Sequence, residues 1–265
     1  MRTSFNLVSV WGIPIRIHLS LLVLLGIVGM LAWNIGGSEM AVFNIALLVI
    51  VFTSIALHEL AHSLVAIRKG CDVREITLMF VGGAAQMEEL PRKPIDEILI
   101  ALAGPAFSLL LAAVAWFGGS LLDWPLLPSA WGGRPLNLVQ LTGQINLTLA
   151  LFNLLPAFPM DGGRVMRALI SRKVGFLPAT FIASRLGRVA AIIMGIIGFK
   201  TELWALIIIA IFLFRAAGQE FDYVLRQELN DGLKKLHSWA RGSSDSGVKE
   251  VDGPVKISPP PYGRK

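Results

Sequence analysis

Residues 41–67 read AVFNIALLVIVFTSIALHELAHSLVAI, an apolar run broken near its end by His58, Glu59 and His62. Coiled as a helix rising 1.5 Å per residue, such a run is long enough to cross the roughly 30 Å hydrocarbon core of a bilayer. Ionisable groups are costly at that depth and are functional by default. One stretch therefore predicts a membrane architecture and a chemical site inside it.

The rest of the chain agrees with the first inference. Hydrophobic residues make up 54% of the sequence and charged residues 16%, where a soluble domain averages about 25% charged. Apolar runs near 17–35, 41–67, 95–120, 136–157, 178–198 and 203–221 predict an all-α polytopic membrane protein of about six transmembrane helices. Leu19 to Trp33 follows a basic start like that of a secretory signal, but its length and the absence of an Ala-x-Ala site mark it as a retained span. The link at 72–93 is different in kind. Ile76-Thr77-Leu78-Met79-Phe80-Val81 followed by Gly82-Gly83-Ala84-Ala85 reads as a strand that turns, a short membrane-associated β-hairpin. At membrane depth such backbone is tolerated only where protein covers it or where it lines a cavity. On this reading residues 1–221 form the transmembrane domain and 222–241 a short amphipathic cytoplasmic helix. Residues 242–265, rich in Gly, Ser and Pro, form a disordered tail.

The formal charge of +6 resides in links and tail. It forms no stripe with interleaved aromatics, so nucleic acid is excluded as a partner. Arg68, Lys69, Arg74, Arg92 and Lys93 follow the second span, and Arg164, Arg167, Arg172 and Lys173 follow the fourth. The opposite links hold only Arg134 and Lys200. Positive links face the cytoplasm, which places both termini there. Short loops point to a prokaryotic inner membrane. The single cysteine, Cys71, excludes an internal disulfide.

His58-Glu59-Leu60-Ala61-His62 is an H-E-x-x-H pattern on a helix. Residues at i and i+4 share a face, so both imidazoles can point at one metal ion. Glu59 can stand beside that ion without ligating it. From Ala41 to His58 the helix rises about 25 Å, which puts the site in the cytoplasmic third of the bilayer. A catalytic zinc keeps three protein ligands and one open position. The fourth span runs back to the same side and ends Asn153-Leu154-Leu155-Pro156-Ala157-Phe158-Pro159-Met160-Asp161-Gly162-Gly163. The prolines break the helix and the glycines let the chain turn, so Asp161 is the candidate third ligand; the competing reading is a helix N-cap. His18, at the start of the first span, is the rival ligand and is better read as supporting or gating the site. Cys71 ranks last.

With these two motifs the sequence resembles the site-2 protease family of intramembrane zinc metalloproteases, in a compact prokaryotic-type form. Gly82-Gly83-Ala84, Ala103-Gly104-Pro105 and Gly12-Ile13-Pro14-Ile15-Arg16-Ile17-His18 add to the resemblance, which runs over residues 12–220. It implies a zinc endopeptidase that cuts within a transmembrane segment of a single-span partner protein. It implies one zinc per chain held by His58, His62 and Asp161, with Glu59 as general base. Asn153 would steady the substrate backbone or oxyanion, and Gly82, Gly83 and Ala84 would line the cleft. Where relatives often carry Asn after the Gly-Pro of the third span, Ser108 stands nearest, which puts a local packing contact in doubt. Two other classes compete: a membrane zinc carrier, which would want ligands along a path where this chain has 4 histidines in all, and a non-cleaving helix-binding pseudoenzyme, which would not need Glu59.

Overall fold

The structure, a computed structural model, describes residues 4–80, 82–87, 93–121 and 138–245. In chain order these form β1 (Ser4–Val10), β2 (Ile13–His18), α1 (Leu19–Arg68), β3 (Val73–Met79) and β4 (Gly82–Met87). Then follow α2 (Pro94–Leu121), α3 (Leu138–Asn153), α4 (Asp161–Val174), α5 (Phe176–Lys200) and α6 (Trp204–Asp245). The chain divides into two compact units, Met1–Asp222 and Tyr223–Lys265. In the second, residues 223–245 are helical, with Leu229, Leu233 and Leu236 exposed. The tail expected to be disordered lies mostly outside the described residues.

Among the described residues, four helices are long and apolar enough to cross a membrane: Leu19–Arg68, Pro94–Gly119, Phe176–Lys200 and Trp204–Ser238. Their large apolar side chains stay exposed, Ile208 at 68% and Phe199 at 71%, as lipid-facing surfaces require. α1 joins the first two apolar runs without a loop. At 50 residues a straight helix would reach about 75 Å, more than twice the hydrocarbon thickness. It breaks at Gly36 and at Gly37, whose φ of 71° is open to glycine at little cost. A Cβ on Gly29 would lie 3.0 Å from Ile45, and Ala32 packs with Met40 and Ala41. The two halves therefore fold back on each other.

The expected hairpin is present as β3–β4, but it is half of a larger element. The sheet has four strands in the order β1-β2-β3-β4. β1 and β2 pair antiparallel around Trp11 and Gly12, whose φ values of 49° and 84° suit a tight hairpin turn. β2 and β3 pair in parallel, Ile15 opposite Ile76 and Ile17 opposite Leu78. Ile13, Ile15, Ile76 and Leu78 bury against Leu21, Phe52 and Leu60 of α1. The sheet is thus fastened to the helix that carries the H-E-x-x-H pattern, with β4 at its edge.

Lipid offers no hydrophobic drive to hold helices together, so polar ties and close packing must do it. Asn146 of α3 donates to Ser54 of α1 at 3.0 Å, and Ser184 of α5 donates to the Ala217 carbonyl of α6 at 2.6 Å. The strongest tie is Arg167 of α4, which is fully buried. Its Nε donates to Glu97 of α2 at 2.7 Å, and Glu220 of α6 lies 3.5 Å from its Nη1. The rings of Phe158 and Phe176 face its guanidinium at 5.0 and 4.7 Å. Removing one member of a buried ion pair leaves the other charge without compensation, which costs about 3–5 kcal/mol. Arg167→Ala should therefore lower the unfolding free energy in detergent by that order. Adding Glu97→Leu to the same chain should restore most of the loss, measured as a double-mutant cycle of denaturation midpoints.

Candidate metal centre

The centre is assembled from three helices and one broken connection. α1 supplies His58 and His62 one turn apart, with ring centroids 4.7 Å from each other. The chain after α3 turns through Pro156 and Pro159 and re-enters a helix at Asp161. The cap of that helix is Met160 and makes no side-chain cap bond. The N-cap reading of Asp161 therefore fails, and its carboxylate is directed to the imidazoles instead.

Asp161 Oδ2 lies 3.2 Å from His58 Nε2 and 3.1 Å from His62 Nε2, and the two nitrogens are 3.1 Å apart. Three ligands of one tetrahedral zinc, each at about 2.0 Å, stand about 3.3 Å from one another. The triangle is of that size. The ring nitrogens behind it decide which atoms carry protons. His62 Nδ1 faces the Ile100 carbonyl at 2.6 Å, so it must donate there. His58 Nδ1 lies 2.9 Å from the Ser108 hydroxyl, which can accept its proton. In their neutral forms both rings then present bare Nε2 lone pairs to the same point as a carboxylate oxygen. Such a convergence suits a cation, and support of this kind orients metal-bound histidines.

Close approach needs missing side chains. A Cβ on Gly104 of α2 would sit 2.2 Å from His62 Nε2 and 2.6 Å from His58 Nε2. A Cβ on Gly162 would meet the Leu154 and Leu155 carbonyls at 2.3 and 2.4 Å. Ile100, Gly104 and Ser108 recur every four residues, so one face of α2 backs the whole triangle. Ser108 appears in the sequence only as a local packing contact. The regular spacing of a glycine and a serine in an apolar helix is the signal that could have shown its role.

The other candidate residues are placed as follows. Glu59 is half-buried on α1. Its stem lies under β4, where a Cβ on Gly83 would come within 3.0 Å of it. Gly82, Gly83 and Ala84 pair with Met79, Leu78 and Thr77 in the edge hairpin. Asn153 closes α3 and donates to the Leu149 carbonyl at 2.9 Å. His18 caps α1, accepting from the Ser20 amide at 3.1 Å. Neither Asn153 nor His18 belongs to the converging group. Among the described residues, His58, His62 and Asp161 are the His, Cys, Asp or Glu side chains that cluster tightly enough to hold a metal.

A model of peptidase family M50 matches residues 46–130 and 128–194. A zinc metalloprotease of Methanocaldococcus jannaschii is 36% identical over 235 residues, 88% of this chain. A relative from Synechocystis is 33% identical over 196 residues, 71% of this chain. The chain spans 65% and 50% of the length of these two relatives. The solved structure of a site-2 protease from Methanocaldococcus jannaschii superposes with a TM-score of 0.65 at 35% identity, covering 82% of this chain and 95% of that one.

Gly104→Ala should weaken zinc binding by at least about tenfold, since it pushes the backing helix off both rings. Gly118→Ala on the same helix, where a Cβ meets nothing within 4 Å, should leave zinc content unchanged. Metal analysis of the two purified variants checks both.

Proposed function

Since the chain belongs to peptidase family M50, we propose that it is an intramembrane zinc endopeptidase that cuts a peptide bond within a transmembrane segment of a single-span protein. The observation that carries this reading is the buried triangle of His58, His62 and Asp161, with Glu59 following His58 on the same helix. His58, His62 and Asp161 would hold the zinc. When bound, that ion supplies a Lewis acid that lowers the pKa of a water to about 7 and polarises a carbonyl. Glu59 accepts the proton of the attacking water and returns it to the departing amine. Asn153 offers an amide to the substrate backbone or the oxyanion.

Proteolysis needs an extended substrate, so a helix must unwind, and its freed backbone groups need partners inside the bilayer. The outer edge of β4, at Gly82, Gly83 and Ala84, lies over Glu59 and can accept the substrate as a further strand. The absent side chain of Gly83 keeps that strand close to the helix. The two halves of α1, together with α2, α3, α5 and α6, make six crossings in this reading. The basic links favour both termini in the cytoplasm, and the short loops favour a prokaryotic cell membrane.

The purified protein in lipid, given single-span substrates with helix-weakening residues, should yield products cut within the span. Glu59→Gln should keep its zinc and yield none by mass spectrometry. Equal products from both chains would sink the assignment of Glu59 as base.

A further inference from the structure

α3 carries two polar side chains that neither the metal centre nor the helix packing uses. Gln144 and Thr148 are one turn apart, so they share a face, and both are exposed. Other polar side chains of this helix are engaged. Thr142 donates to the Leu138 carbonyl at 2.8 Å, Asn153 to the Leu149 carbonyl at 2.9 Å, and Asn146 to Ser54 at 3.0 Å. Among the described residues, no hydrogen bond occupies the side chain of Gln144 or Thr148.

Their depth makes this costly. The bond from Asn146 to Ser54 sets the middle of α3 level with the second half of α1. From Ala41 to Ser54 the helix rises about 20 Å. Gln144 and Thr148 flank that level, about two-thirds of the way through a hydrocarbon core about 30 Å thick. A polar group buried in such a medium without a partner is unfavourable.

Both side chains line a groove of about 460 Å³ between α1 and α3. Val51 and Ile55 form one wall, and Ile145, Leu149 and Phe152 the other. The groove ends where the proposed chemistry begins. A Cβ on Gly83 would lie 2.8 Å from Ile55 Cγ2 and 3.0 Å from Glu59 Cγ, so the β4 edge meets the α1 wall one turn from Glu59. On the other wall, Phe152 leads directly into Asn153. An apolar trough with two hydrogen-bonding groups suits a peptide whose helix has begun to open. Such a peptide has apolar side chains and main-chain groups short of partners. A glutamine amide both donates and accepts, and so does a threonine hydroxyl. We propose that the α1–α3 groove receives the outer half of the substrate's transmembrane segment, and that Gln144 and Thr148 select it by pairing with its freed main chain. This inference rests on the endopeptidase reading and refines its substrate. Ser54 precedes Glu59 by five residues and Gln144 precedes Asn146 by two, which puts Gln144 about 10 Å outward of Glu59. An extended chain covers that distance in about three residues. Favoured substrates are therefore those whose helix is weak about three residues outward of the cut bond.

Crosslinking and kinetics on the full chain in lipid test this. Benzoylphenylalanine in place of Gln144, in a zinc-loaded Glu59→Gln chain, should capture a single-span substrate with helix-weakening residues. Mass spectrometry should map the attachment to the outer half of the substrate's span. Gln144→Leu combined with Thr148→Val should raise KM for that substrate about tenfold, with kcat within about twofold of native. Thr142→Val, which removes a hydroxyl that serves its own helix, should change neither constant. Products from the native chain without capture, or with KM unmoved in the double variant, overturn the groove and leave the endopeptidase standing. Capture without products from the native chain upholds the groove and removes the endopeptidase. Crosslinks to lipid or to a second copy alone also overturn the proposal.

Discussion

Three electron-rich atoms brought within about 3 Å of one another inside a low-dielectric core repel unless a cation joins them. That constraint governs the local sequence more than any demand of the fold. The imidazoles must be held from behind by acceptors, which α2 provides through the Ile100 carbonyl and Ser108. The carboxylate must arrive on a connection that ends one helix and starts another in a single short turn. Glycines at 104, 162 and 163 let these backbones close on the centre.

The remaining architecture keeps those backbones in register. A soluble enzyme would do this with a large apolar core. In lipid the apolar faces gain nothing by meeting each other, and the described interior is accordingly rich in small and polar residues such as Ser54, Ser63, Ser108, Asn146, Thr180 and Ser184. Arg167 binds α4 to α2 two turns beyond Asp161, so the helix that presents the carboxylate is held by its middle as well as its end.

Much of this was readable from the sequence because the signals are local. His58, Glu59 and His62 fix a helical face by spacing alone. Asp161 is identified by depth and by the prolines before it. The run before Gly82 declares a strand by composition. What could not be read depends on elements distant in the chain. β1 and β2 lie in a segment that reads only as a basic start and a short motif, and the parallel pairing of β2 with β3 has no local signature. The reversal at Gly36 and Gly37 was hidden because the helix resumes at once, leaving no polar loop to mark it. Ser108 was noticed only by comparison with a pattern that has a different residue there. The length of α6 exceeds its apolar part, so the hydropathy marks where lipid ends and not where the helix ends.

The parallel pairing of β2 with β3 has a consequence for biogenesis. Residues 13–18 leave the ribosome first, yet their partners at Ile76, Thr77 and Leu78 are made only after the whole of α1. The intervening helix α1 must be made and reversed at Gly36 and Gly37 before the two strands can pair. The sheet is therefore completed late in synthesis, when the early segment meets its partner strand. Anything that delays that segment's return delays the platform on which Glu59 rests.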